Sequence, residues 1–371
     1  MTRNDVVGVG RLAFDAVHGL TGVVEAMHGT IARRPVPVGR LSDTRTRGIT
    51  RLVYTTIRAV TRLAGAGVDA ALALMAPLPG EPASSPRREA VLAAINGVIG
   101  DHLAATGNPL SIPTRLHGAP GGRVVVLVHG LCMSHLQWRR NGHDHGAALA
   151  GEGWNPVYAH YNSGRRISHN GRELAERLEA LPASEIVIIG HSMGGLVARS
   201  ACHHARLAGQ RWLGRVSKLV FLGTPHHGAP LERIGNALDR VLEMSPYVAP
   251  LVQIAGNRSA GIADLRFGNL VDADWAGRDR RHRDDLRTPV PLPAGIACYA
   301  IAATRGCGPG DLAGRLVGDG LVPVASALGH HRDPRFALGF PPAHQRVVHG
   351  RDHFDLLDAP EVYQQLSCWL R

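Results

Sequence analysis

Apolar residues follow two different rhythms along this chain, and the change falls near residue 105. Before it, Val6, Val9, Ala13, Val17, Leu20, Val24, Met27 and Ile31 recur at three- and four-residue steps, which predicts an amphipathic helix. Its many glycines weaken intrinsic helicity, so packing must support it, and "RRPVPVGR" ends it. A second helix is predicted from about Thr44 to Met75, with Ile49, Val53, Ile57, Val60, Ala64, Val68 and Met75 on one side. At about 100° per residue, Arg47, Arg51, Arg58 and Arg62 share the opposite side. Such an element either lies on the main domain with its arginines in solvent or attaches peripherally to anionic lipid. "APLPGEPASSPRR" reads as a linker and "REAVLAAINGVIGDHLAA" as a third helix.

Further on, the short apolar runs "RVVVLVH", "NPVYAHY", "EIVIIG", "SKLVFLG", "GIACYAIAA" and "QRVVHG" alternate with helical stretches such as "NGRELAERLEAL" and "MGGLVARSACHHARLAG". Continuous β-branched runs separated by helices imply an α/β fold, a mostly parallel sheet covered by helices on both faces. The expected organisation is a helical N-terminal extension over 1–105 and an α/β domain over 106–371. Residues from about 229 to 294 read as an insertion. Its apolar positions Ile234, Leu238, Val241, Leu242, Val248, Leu251, Val252 and Ile254 predict either a helical cap over the site, able to move as a lid, or ordinary packing on the sheet. "NSGRRISHNGRELAERLEAL" predicts a loop that enters a helix through Asn170, with Arg165 and Arg166 either in solvent or set to meet an anionic substrate group.

Composition narrows the partners. A chain of 371 residues accommodates one large α/β domain and an accessory segment. A formal net charge of +11 suits nucleic acid or an anionic membrane. Yet Lys218 is the one lysine, the arginines are scattered and often sit beside acids ("GRDRRHRDDLR"), and no aromatic-rich basic segment occurs, so no nucleic-acid partner is expected. Cys132, Cys202, Cys298, Cys307 and Cys368 are odd in number and form no C-x-x-C pair, which points to a reducing, cytoplasmic compartment, with a Cys298 to Cys307 bridge the one pairing left open. Asp5 and Asp15 interrupt the first apolar stretch where a secretory signal needs continuity. "LAGAGVDAALALMAPLPG" is broken by Asp69 and closed by prolines, so no spanning helix is expected. Peripheral membrane contact through the N-terminal helices is the remaining expectation.

The chemistry centres on "GHSMGGLVARS", residues 190 to 200. A serine between glycines, behind the apolar run "IVII" and ahead of a helical pattern, is placed to project its hydroxyl from a sharp strand-to-helix turn. Ser192 is therefore the candidate nucleophile, and a serine needs a base held by an acid. In this arrangement the acid and then the histidine follow the serine along the chain. Asp319 in "VGDGLVPVASA" is the candidate acid and His353 in "VVHGRDHFDLL" the candidate base, with Asp311, Asp333, Asp352 and Asp355 as rival acids and His344 and His349 as rival bases. The backbone N–H groups of Leu131, after "VVVLVHG", and of Met193 are the expected oxyanion donors. Cys132 reads as a small packed residue beside the site. The paired histidines at 203/204, 226/227 and 330/331 and "HDH" at 143–145 lack helical ligand spacing, so no metal is assigned, and His226 and His227 are expected in the site wall.

With "HGLCMS", "GHSMGG", "GTPHHG", "DGLVP" and "DHFDLL" in this order, the region from about 108 to 371 resembles an α/β-hydrolase of the lipase and esterase branch. The subgroup most similar in these motifs is the bacterial lipase-like esterases related to GPI inositol-deacylases. Met193 stands where several secreted bacterial lipases have His or Gln. The resemblance implies a serine hydrolase acting on carboxylic esters with hydrophobic or lipid-like acyl groups, and no organic cofactor. The other expectations are acyl transfer from the same triad, or a membrane-associated scaffold with an idle pocket.

Overall fold

The structure is a computed structural model, and it describes residues 4, 5, 7–13, 15, 85–230, 259–278, 285–308, 311 and 317–371. The helix expected at Thr44 to Met75 and the cap positions Ile234 to Ile254 lie outside the described residues. The chain divides into two compact units. One comprises Met1–Ser84, Thr106–Leu110 and Pro250–Gly256, and the other comprises Ser85–Ala105, Ser111–Ala249 and Asn257–Arg371. In the first, the described residues between 4 and 15 are helical, and Asn108 ties the returning segment to them by donating from Nδ2 to the Gly8 carbonyl at 3.1 Å.

The second unit is built on seven strands: β1 (Arg115–His117), β2 (Arg123–Val128), β3 (Asn155–His160), β4 (Glu185–His191), β5 (Val216–Leu222), β6 (Ala297–Thr304) and β7 (Gln345–His349). They lie in the order β1-β3-β2-β4-β5-β6-β7 and are parallel except for β1, which runs antiparallel to β3. Helices connect and flank them: α1 (Pro86–Ala105), α2 (His145–Ala150), α3 (Ile167–Glu179), α4 (Met193–Ala208), α5 (Ala260–Leu265), α6 (Val324–Ala327) and α7 (Pro360–Leu370). The apolar runs explain the layering. Side chains alternate across a strand, so Val124, Val126, Val128, Ile186 and Ile188 join α3 and α4 in one buried cluster. Val125, Leu127, Val187 and Ile189 join Val362, Leu366 and Leu370 of α7 in another. Both faces are buried, as continuous β-branched runs require.

Strand order locates the chemistry. The chain leaves β2 toward β3 on one side and returns to β4 on the other, so the carboxyl ends of β2 and β4 lie together where the connections diverge. Val128 pairs with Gly190 there, which sets the loop after β2 against the turn after β4.

Three features depart from the sequence reading. β1 is only three residues long and carries no detectable alternation. Arg166 is not solvated: its Nη1 meets Asp264 at 2.6 Å, both residues are buried, and the guanidinium lies 4.8 Å from the Trp275 ring centroid. The following helix starts at Ile167, so Asn170 lies within its first turn and donates to the Asn162 carbonyl. Finally, α1 belongs to the sheet-bearing unit. A Cβ on Gly97 would meet the Cys132 backbone, Ser259 Oγ donates to the Gly97 carbonyl at 2.7 Å, and Asn162 Nδ2 donates to that of Gly100 at 2.8 Å. Among the described residues no helix is long and apolar enough to cross a membrane.

Candidate active site

Ser192 sits between β4 and α4 with φ 55° and ψ −126°, a conformation that costs a non-glycine residue about 1–3 kcal/mol. Its surroundings impose it. The Ser192 N–H donates to the Leu222 carbonyl at 2.8 Å, and the Ser192 carbonyl accepts from Gly195 N–H at 3.1 Å. A Cβ on Gly190 would lie 2.5 Å from the Gly195 Cα, and one on Gly194 would overlap the Val128 and His129 carbonyl oxygens. Glycines at these two positions are what allow strand and helix to close on the serine.

His353 and Asp319 meet as a buried pair. His353 Nδ1–H donates to Asp319 Oδ2 at 2.6 Å, and the residues are 3% and 1% exposed. The other carboxylate oxygen, Oδ1, accepts from the N–H groups of Leu321 at 2.9 Å and Val322 at 2.7 Å. The His353 N–H also donates to the Asp319 carbonyl at 3.2 Å. The loop after β6 and the loop after β7 are thereby joined through both main chain and side chain. Three of the four rival acids are engaged elsewhere: Asp352 accepts from the N–H groups of Phe354 and Asp355, Asp355 pairs with Arg140, and Asp333 with Arg335. His344 stacks on Tyr299, and His349 ends β7.

Ser192 and His353 open on one cleft. Leu131, Met133, Pro225, Leu265, Leu321 and Phe354 give it mostly apolar walls. Among the described residues, no acceptor engages the N–H of Leu131 or of Met193. Cys132 also lines the cleft, with φ 57°, its N–H donating to Ser163 Oγ at 3.0 Å. Burial pushes its thiol pKa up to about 12, so it stays protonated and unreactive at neutral pH. All five cysteines are free thiols.

The residue before the serine supports the base. His191 Nε2–H donates to the His353 carbonyl at 3.1 Å, and burial together with the nearby His353 ring holds the His191 pKa well below its ordinary value. An imidazole kept neutral here places no positive charge beside His353.

His226 and His227 do not line the cleft, contrary to expectation. His226 is buried edge-on against Phe221 and accepts from Arg199 at 3.3 Å, while the His227 N–H donates to Ser326 Oγ. Pro225 and Ala229 form that wall instead. The sequence reading also passed over Leu265, whose position in the insertion gave no sign of where the chain returns, and Phe354, which the motif "DHFDLL" places directly after the base.

Residues 119–248 match the PGAP1-like alpha/beta domain family. No curated protein matches the chain significantly. Among solved structures, the mature lipase BlEst2 of Bacillus licheniformis is similar at 20% identity and a TM-score of 0.43, over 70% of this chain and 98% of that one. The carboxylesterase CesB of Bacillus subtilis is similar at 13% identity and a TM-score of 0.41, over 69% and 87% of the two chains. The naproxen esterase of Bacillus subtilis is similar at 14% identity and a TM-score of 0.41, over 78% and 100%. The match to the PGAP1-like alpha/beta domain spans β2 to β5 and takes in the turn after β4 that carries Ser192.

Proposed function

We propose that the protein is a serine hydrolase that cleaves carboxylic esters with hydrophobic or lipid-like acyl groups, through Ser192, His353 and Asp319. The observation that carries this reading is the buried 2.6 Å bond from His353 to Asp319, with His353 and Ser192 facing one cleft. His353 takes the proton from Ser192 as the oxygen attacks the ester carbonyl, and Asp319 holds the ring in the tautomer that leaves Nε2 free to do so. The tetrahedral oxyanion is held by the N–H groups of Leu131 and Met193, reinforced by the positive end of α4. His353 then returns the proton to the departing alcohol. Water, activated by the same imidazole, frees the acid from the acyl-enzyme. The apolar walls favour an acyl chain over a charged substituent, because burying an unpaired charge is costly.

The test is labelling with a fluorophosphonate, followed by hydrolysis of p-nitrophenyl esters of graded chain length. Wild-type protein is expected to be labelled and to prefer acyl chains longer than acetyl. Ser192→Ala is expected to lose labelling and at least about 10⁴ in kcat. Unchanged labelling in that variant refutes the nucleophile assignment, and a preference for charged or acetyl esters refutes the substrate class.

A further inference from the structure

Away from the serine, three histidines from separate segments face one another. His117 on β1 pairs with Tyr158, and His160 lies two residues further along β3, so the two histidines are diagonal neighbours on one face of the sheet. His135 opens the 3-10 turn His135–Trp138 that follows the loop carrying Leu131. Its ring stacks on His117 with centroids 4.0 Å apart and lies 4.7 Å from the ring of His160. One ring nitrogen of each falls within 4.8 Å of those of the other two. His117 Nε2, His135 Nδ1 and His160 Nε2 are all buried without a hydrogen-bond partner.

Buried polar atoms normally find partners, and an orphan costs about 1–3 kcal/mol. Three orphans of one chemical type in one place suit a ligand that accepts three lone pairs. Glu89 on α1 adds a carboxylate, with Oε2 3.9 Å from His160 Nε2. Arg115, opposite His160 across the strand pair, is the cation nearest in effect, and Glu89 opposes its field at His117.

We propose that His117, His135 and His160 bind a zinc ion, with Glu89 supplying the neighbouring negative charge. Imidazole nitrogens are preferred zinc ligands, and four-coordinate geometry with bonds of about 2.0–2.1 Å needs ligands roughly 3.3 Å apart. The three nitrogens therefore draw together by about 1–1.5 Å, and the stacked pair tilts open from its 5° interplanar angle. The ion would tie β1, β3 and the turn after the Leu131 loop to one point, which makes its role structural. The proposal is independent of the assignment of Ser192.

The test is zinc content and stability of the full chain. After chelator treatment and equilibration with zinc chloride, the wild-type protein is expected to hold one zinc per chain by elemental analysis. Its Tm is expected to rise by roughly 5 °C when zinc stands at 100 times its Kd. Cobalt in its place should give the visible absorption of a tetrahedral site. His117→Gln and His135→Gln, both at half-buried positions, should retain the fold by circular dichroism and bind zinc at least tenfold more weakly. A wild-type protein that retains less than about 0.1 zinc per chain, or variants that bind zinc as tightly as wild type, would overturn the proposal.

Discussion

Asp319 divides its work between two oxygens. Oδ1 is consumed by the amides of Leu321 and Val322, so only Oδ2 faces His353, and the carboxylate cannot rotate away. Asp319→Asn keeps the shape but removes the charge and offers an amide that favours the wrong histidine tautomer. It is expected to lower kcat for an ester substrate by about 10³–10⁴ while the far-ultraviolet circular dichroism stays unchanged. Activity within tenfold of wild type would mean that Asp319 does not orient the base. At this scale the sequence was informative wherever a residue sits at the end of a strand, because strand ends are announced by apolar runs. Ser192 and His353 were read as candidates in that way, and the structure sets both on one cleft with His353 bonded to Asp319. His226 and His227 were misplaced, since which of two neighbouring loop side chains turns inward depends on Phe221 and Arg199, far away in the chain.

Among the elements, the β4–α4 turn is closely packed against the end of β2. Gly194→Ala would set a methyl against the Val128 and His129 carbonyl oxygens, which are main-chain atoms and cannot swing aside. A loss of roughly 1–3 kcal/mol in urea unfolding is expected, and a variant as stable as wild type would contradict this packing. Long strands and helices were legible because their periodicity is local: β2 through β7 and helices α3, α4 and α7 all arise from runs that the sequence displays. β1 and the attachment of α1 were not. β1 is defined by its partner β3, and α1 by glycines that admit Cys132 and Asn162, neither of which leaves a periodic signal. The three clustered histidines were invisible for the same reason, being gathered by strand register and by a loop.

Across the whole molecule, buried neutral histidines couple stability to acidity. Burial lowers the pKa values of His145 and His227 to about 4 and those of His191 and His226 well below the ordinary 6.5. The unfolded chain therefore binds more protons than the folded one below about pH 6.5, and stability falls as pH drops toward 4. Each fully buried ring of this kind, His145 among them, contributes a slope of up to about 1.4 kcal/mol per pH unit. Urea midpoints measured at pH 7.5 and 5.0 should differ clearly, the acidic one being lower. Equal midpoints would show that these rings ionise as freely in the fold as outside it.

The attachment of α1 bears on how the protein can be shortened. Its Gly97 presses on Cys132, within the loop that also bears Leu131. A chain cut back to the stretch that family comparison recognises, or to everything after residue 110, would leave that loop without the surface it leans on. Any working fragment has to begin ahead of Pro86.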